Sequence, residues 1–394
     1  MSRSSPRQVV VQCCRVGLQE GGESLPGDVD WGEALSHALA EGVVSTFYQA
    51  LSDPSFQGDP SVLVRAREAL LGQSLAAMQL APRFVEVVAL LNSEGIRVLA
   101  YKGLAVAQQM YGTLVARPTG DIDILVDPRD AWLATKALRA AGYIPTPIHW
   151  SDSQQRAHIK YGEGRAFHHL GTKTDVDLHW TAFDRWIDLP LQFDDLWERR
   201  EELVWPGGVL PTLGRNDSAL MLCLHGCQHG FERLKWAVDV AKAMAPDSGV
   251  NWDIVARTAG HRAPMVEYAL RYVSHLFGAV PPGRARFARV VPMAQSAADR
   301  YVANLSPGPG GVLDPVIARN VDPRLSARGL SALYHYLRAW LRPTNEDVDT
   351  LDLPFLLHRF YCVLRVWRLG QKCWLRRVWR SGSGSVVSLW EGEV

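Results

Sequence analysis

Gly120-Asp121-Ile122-Asp123-Ile124-Leu125-Val126 decides how this chain is read. Apolar residues and aspartates alternate with the period of a strand, so Asp121 and Asp123 point to one face. Two carboxylates about 6–7 Å apart along a strand can converge on divalent cations. Two such cations about 3.5–4 Å apart form a clamp for in-line displacement at phosphorus. Bare carboxylates on an otherwise apolar strand are costly to bury, and a metal resolves that conflict. Arg117-Pro118-Thr119 leads into the stretch, and Tyr101-Lys102-Gly103 ends 18 residues before Asp121.

The pattern recurs in Thr174-Asp175-Val176-Asp177-Leu178-His179-Trp180. Asp175, Asp177 and His179 share one face, while Val176, Leu178 and Trp180 face a core. Gly171-Thr172 reads as the hairpin turn after a strand over residues 166–170. A third carboxylate brought beside the first two completes a metal triad and can take a proton from an attacking hydroxyl. Asp175 and Asp177 are both candidates. Lys102 is either a solvated strand end or a cation that neutralises triphosphate charge. In the second case Gly103 lets the backbone approach phosphate oxygens, at the positive end of a helix starting near Leu104. Arg117 either binds phosphate or pairs with an aspartate.

Together these elements resemble the nucleotidyltransferases of the polymerase-beta superfamily. More narrowly, they resemble the group of uncharacterised nucleotidyltransferases related to the toxin nucleotidyltransferases of abortive-infection systems. The resemblance runs over roughly residues 30 to 240 and includes His225-Gly226, His229, Trp236 and Asp239. One departure is Lys102-Gly103-Leu104, where the superfamily usually carries a second small residue. The resemblance implies transfer of a nucleoside monophosphate from a nucleoside triphosphate such as ATP to an acceptor hydroxyl, with release of pyrophosphate. It makes Asp121, Asp123 and Asp177 the catalytic metal ligands, favouring Asp177 over Asp175 because Asp177 directly precedes Leu178-His179-Trp180. It makes Lys102, Gly103 and Arg117 the nucleotide-binding residues. Two Mg²⁺ ions are expected, since a carboxylate-rich, phosphate-bearing site suits a hard, oxygen-preferring cation. The acceptor could be a small metabolite, a peptide, a tRNA or a protein. The alternatives are a non-catalytic binding or scaffold protein on the same fold, and a toxin-like enzyme that modifies tRNA.

Composition agrees with a globular enzyme. The chain has 394 residues, 47% hydrophobic and 21% charged, and can bury a sizeable core. A formal net charge of +1 argues against a strongly electrostatic nucleic-acid binder. Six scattered cysteines without a Cys-x-x-Cys form neither a disulfide framework nor a zinc ribbon. No apolar run approaches 18 residues, so no integral membrane segment is expected. Gln8, Gln12 and Arg15 interrupt the N-terminal apolar stretch, so a signal peptide is not expected either. The expected location is cytoplasmic.

The expected architecture is α+β: a small mixed nucleotidyltransferase sheet with flanking helices and a helical C-terminal domain. The divisions are a loose lead-in (1–30), a helical region (31–95), the core (96–205), a C-terminal helical domain (206–380) and a tail (381–394). Helices are expected over 31–51, 61–80 and 83–95, and a strand over 143–148. Loops are expected at Pro281-Pro282-Gly283 and across residues 306–311. His225 and His229 stand at i and i+4 near Cys223 and Cys227, a spacing open to zinc binding, to packing or to lining a cleft. From Pro354 to Arg380 basic and aromatic residues interleave, open to packing, to an acidic or RNA partner, or to a membrane surface.

Overall fold

The computed structural model describes residues 5–18, 25–26, 29–54, 56–183, 187, 189, 191–279 and 341–382, with side chains up to 371. The chain forms two compact units: residues 1–148 with 163–335, and residues 149–162 with 336–394.

A mixed seven-stranded sheet organises the first unit. Its strands are β1 (Val98–Ala100), β2 (Asp121–Val126), β3 (Tyr143–Pro145), β4 (Gly164–His169), β5 (Thr174–His179), β6 (Glu201–Trp205) and β7 (Gly208–Thr212), in the order β3-β4-β5-β2-β1-β7-β6. β2 lies at the centre, parallel to β5 and antiparallel to β1. Its residues Ile122, Ile124, Leu125 and Val126 are at most 1% exposed, as a strand covered on both faces requires. β5 alternates buried Val176 and Leu178 with more open Asp175, Asp177 and His179. The α+β reading is correct, and the sheet continues to Thr212 through the β6–β7 hairpin.

Helices supply the other layer: α1 (Pro6–Leu18), α2 (Trp31–Ala40), α3 (Val44–Leu51), α4 (Pro60–Ser93), α5 (Gly103–Tyr111) and α6 (Ala131–Ala140). Between β5 and β6 lies α8 (Phe193–Glu198), and after the sheet come α9 (Arg215–Gln228), α10 (Leu234–Met244), α11 (Trp252–Ala259) and α12 (Ala263–Phe277). Phe47, Phe231, Tyr272 and Phe277 are fully buried side chains of their shared core.

Four local expectations are corrected. Residues 6–18 are not a loose lead-in: Val9, Val10, Cys13 and Cys14 form the fully buried side of α1. The helical pattern over 31–51 breaks at Gly42, whose φ of +70° ends α2 and opens a corner into α3. Conversely, the patterns over 61–80 and 83–95 are one helix, α4, with Pro82 inside it. Pro82 deprives the Met78 carbonyl of its helical donor. Met78 is exposed, so water can serve that carbonyl. By length and composition α4 could cross a membrane. Its buried residues, among them Ala77, Ala81, Phe84 and Leu91, lie on the side turned into the protein. The strand expected over 143–148 ends at Pro145, although Thr146 N–H still donates to the Ala166 carbonyl at 2.9 Å.

The second unit joins α7 (Asp152–Tyr161), which leaves the chain between β3 and β4, to α13 (Asn345–Thr350) and α14 (Phe360–Gly382). Ser151 and Gln154 form a capping box on α7. Trp150, Ala157, Val348 and Tyr361 form the small core. Arg368 meets Asp347 at 2.7 Å and Glu346 at 2.6 Å, so this arginine of the basic segment serves its own unit. The expected loops at Pro281-Pro282-Gly283 and 306–311 lie outside the described residues. So do the side chains of Lys372, Trp374, Arg376, Arg377, Trp379 and Arg380.

Candidate metal and nucleotide cleft

β2 and β5 are parallel neighbours in a register that opposes Asp121 to Asp175 and Asp123 to Asp177. Equal-period strands in this register put all the alternating polar residues on one side. Asp123, Asp177 and His179 converge: one ligand atom from each lies within 4.8 Å of the others. His179 Nε2 is 3.4 Å from Asp123 Oδ1. His179 shared the expected face, but the expected metal set omitted it. Asp121 lies at the mouth of β2 on the same cleft. Asp175 is exposed and bonds His168 Nδ1 at 2.6 Å, and it does not line the cleft.

Electrostatics marks the carboxylates as a set. Burial, then the charge of Asp123, raises the pKa of both Asp121 and Asp177. Burial raises Asp123 too, with Lys102, Arg117 and Lys235 opposing it. Crowded, half-desolvated carboxylates of this kind are held at a cost that a bound cation relieves. Two carboxylates and an imidazole are a donor set that fits a divalent ion.

The turn from β1 into α5 sits against this set. Lys102 has φ +48° and Gly103 φ +29°, a conformation unfavourable for a side-chain-bearing residue such as Lys102. A β-carbon on Gly103 would lie 2.9 Å from Asp123 Oδ2 and 3.0 Å from Thr119 Cγ2. Glycine is therefore required here by the carboxylate itself. The Lys102 ammonium lies 4.8 Å from the centre of the Tyr101 ring.

Arg117 reaches the cleft wall but is held from behind. Its Nε donates to both carboxylate oxygens of Asp239, at 2.9 and 3.0 Å. Asp239 is 0% exposed and also accepts from the Tyr111 hydroxyl at 2.7 Å. Burial works against the Arg117 charge, but Asp239 outweighs it and keeps the guanidinium protonated. Of the two expected roles, pairing with an aspartate is present.

The cleft encloses about 630 Å³. Lys102, Gly103 and the carboxylates form its polar side. Leu39, Val44, Met221 and Leu222 give it an apolar wall, joined by His225 and Trp236. The rings of His225 and His229 are 4.6 Å apart, and each packs on Trp236. Burial, then the charge of Lys102, lowers the His225 pKa well below its ordinary value, so the ring is neutral. Among the described residues the three-ligand cluster is Asp123–Asp177–His179, and it includes neither His225 nor His229. Cys223 and Cys227 are buried, and the Cys227 thiol donates to the Met265 carbonyl at 3.3 Å. The zinc expectation for these histidines therefore gains no third ligand among the described residues.

Lys235 was not anticipated. It lines the cleft from the first turn of α10, on the same helix as Trp236 and Asp239. A family model described as "Uncharacterised nucleotidyltransferase" matches residues 27–278. No curated protein and no solved structure matches the chain.

Proposed function

Because the chain belongs to this nucleotidyltransferase family, whose model spans every residue lining the cleft, we propose that it transfers a nucleoside monophosphate from a nucleoside triphosphate to an acceptor hydroxyl. The observation that carries the reading is the Asp123–Asp177–His179 cluster set beside Lys102 in one cleft.

Asp121, Asp123 and Asp177, with His179, would hold the divalent ions, for which Mg²⁺ is the expected choice. When bound, such ions neutralise phosphate oxygens and sharpen in-line displacement. The acceptor oxygen attacks the α-phosphorus. The bond from that phosphorus to the bridging oxygen breaks, and pyrophosphate leaves. Asp177 takes the hydroxyl proton. Lys102 offsets triphosphate charge from the start of α5. Arg117 holds the turn in place: its Nη1 donates to the Gly103 carbonyl at 3.5 Å while Asp239 fixes its Nε. The apolar wall with Trp236 and His225 offers a surface for the flat face of a base.

Incubating the full chain with each labelled triphosphate and Mg²⁺ in cell extract tests the reading. Label should pass to an extract component with wild-type protein and not with Asp123→Ala. Labelling by Asp123→Ala equal to wild type would overturn it.

A further inference from the structure

Lys235 is a cation with a dedicated mount. Its amide donates to the Glu41 carbonyl at 3.2 Å, and the preceding amide of Leu234 donates to Glu41 Oε2 at 2.9 Å. Glu41, 193 positions away in sequence, thus caps the start of α10, which has no side-chain cap of its own. The other carboxylate oxygen of Glu41 is held by Arg7 Nη2 at 3.0 Å, and both side chains are more than nine-tenths buried. The aliphatic stem passes Gly42. A β-carbon there would stand 3.0 Å from Lys235 Cδ and 3.2 Å from Pro118 Cγ. The α2–α3 corner therefore fixes the backbone of Lys235 and leaves room for its stem. Among the described residues Lys235 forms no ion pair, although it stands on a cleft with three carboxylates. A half-buried, mounted, unpaired ammonium in a cleft calls for an anionic ligand.

The charges on the cleft divide along it. The stem of Lys235 lies beside Gly42, which also abuts Pro118, three residues before Asp121, whereas Lys102 directly precedes Gly103, whose position abuts the Asp123 carboxylate. In an in-line displacement the attacking and leaving oxygens lie on opposite sides of phosphorus. If Asp177 takes the proton of the attacking hydroxyl, the leaving group departs toward the Asp121 end. We infer that Lys235, mounted on the Glu41–Gly42 corner, binds the pyrophosphate portion of the triphosphate and steadies its charge as it leaves. This inference rests on the transfer reading for the direction of departure, but the site itself is an anion site for pyrophosphate with or without transfer.

Binding of inorganic pyrophosphate and of a nucleoside monophosphate to the full chain with Mg²⁺, measured by titration calorimetry, tests it. Lys235→Met keeps the stem beside Gly42 and removes the charge. It should weaken pyrophosphate binding roughly 10- to 100-fold, the scale of a hydrogen bond to a charged group, and leave monophosphate binding within about twofold. Lys235→Arg should recover part of the loss, and circular dichroism should match wild type. Gly42→Ala, which crowds the stem, should weaken pyrophosphate in the same selective way. Pyrophosphate binding in Lys235→Met equal to wild type overturns the inference, even if transfer proceeds. Equal weakening of both ligands also overturns it, as does wild-type protein that binds no pyrophosphate. Selective pyrophosphate loss in a chain that labels no acceptor upholds the Lys235 site and rejects the transfer reading.

Discussion

Asp123 and Asp177 are register partners on adjacent parallel strands, so two carboxylates share one partly desolvated site. Their folded pKa values are raised, by burial first. A carboxyl whose folded pKa exceeds its unfolded value adds stability at low pH and loses it as pH rises through the folded pKa. At neutral pH without divalent ions the pair therefore destabilises the fold. Asp177→Asn should raise the melting temperature in chelator, by a few degrees. Adding Mg²⁺ should stabilise wild type more than the variant. Thermal unfolding at pH 7 with and without chelator checks this; a lower melting temperature for Asp177→Asn in chelator contradicts it.

The two aspartates of β5 should separate sharply in activity. Asp177→Asn removes a candidate ligand and base, with an expected loss of about 10²–10⁴-fold in turnover. Asp175, turned to His168 on the surface, should lose about tenfold or less as Asn. Side-by-side turnover measurements decide the order.

Gly103→Ala forces a β-carbon to within 2.9 Å of Asp123 Oδ2 in a backbone already at positive φ. A stability cost of about 1 kcal/mol or more is expected. Displacement of the Asp123 carboxylate should weaken divalent-ion binding as well. Denaturant unfolding and Mn²⁺ titration by paramagnetic relaxation measure the two effects independently.

Arg117 and Lys102 should part company in the same experiment. Arg117→Ala strands the fully buried Asp239 without its cation, at a cost of about 3–5 kcal/mol. Lys102→Ala strands nothing of that kind. It should leave the unfolding midpoint nearly unchanged and raise the Michaelis constant for the triphosphate. An unfolding curve and a nucleotide titration for each variant suffice.

How much of this could be read from residues alone follows from which forces are local. Asp121, Asp123, Asp175, Asp177 and His179 fell on strand faces by simple alternation, and the Lys102-Gly103 turn stood out before an apolar helix. What alternation cannot give is adjacency. That β2 lies beside β5, in the register that pairs Asp123 with Asp177, depends on contacts across more than fifty residues. Only that register draws His179 into the ligand cluster. Lys235 was hidden for a related reason. A lysine on an amphipathic helix normally faces water, and the mount that turns it to the cleft comes from Arg7, Glu41 and Gly42. The break expected between residues 80 and 83 is absent, because α4 accommodates Pro82 in its interior.

The excursion of α7 has a consequence for synthesis. Gln154 donates to the carbonyl of Val348, 194 positions later, and Trp150 shares its small core with Val348 and Tyr361. At about 5–20 residues per second, α7 leaves the ribosome roughly 10–40 s before its partners exist. Through that interval Trp150 and Ala157 have no partner side chains to cover them. A fragment ended at residue 278 keeps every cleft residue and makes that interval permanent, because Val348 and Tyr361 never arrive. Such a fragment would carry the complete chemistry on a chain prone to associate through α7.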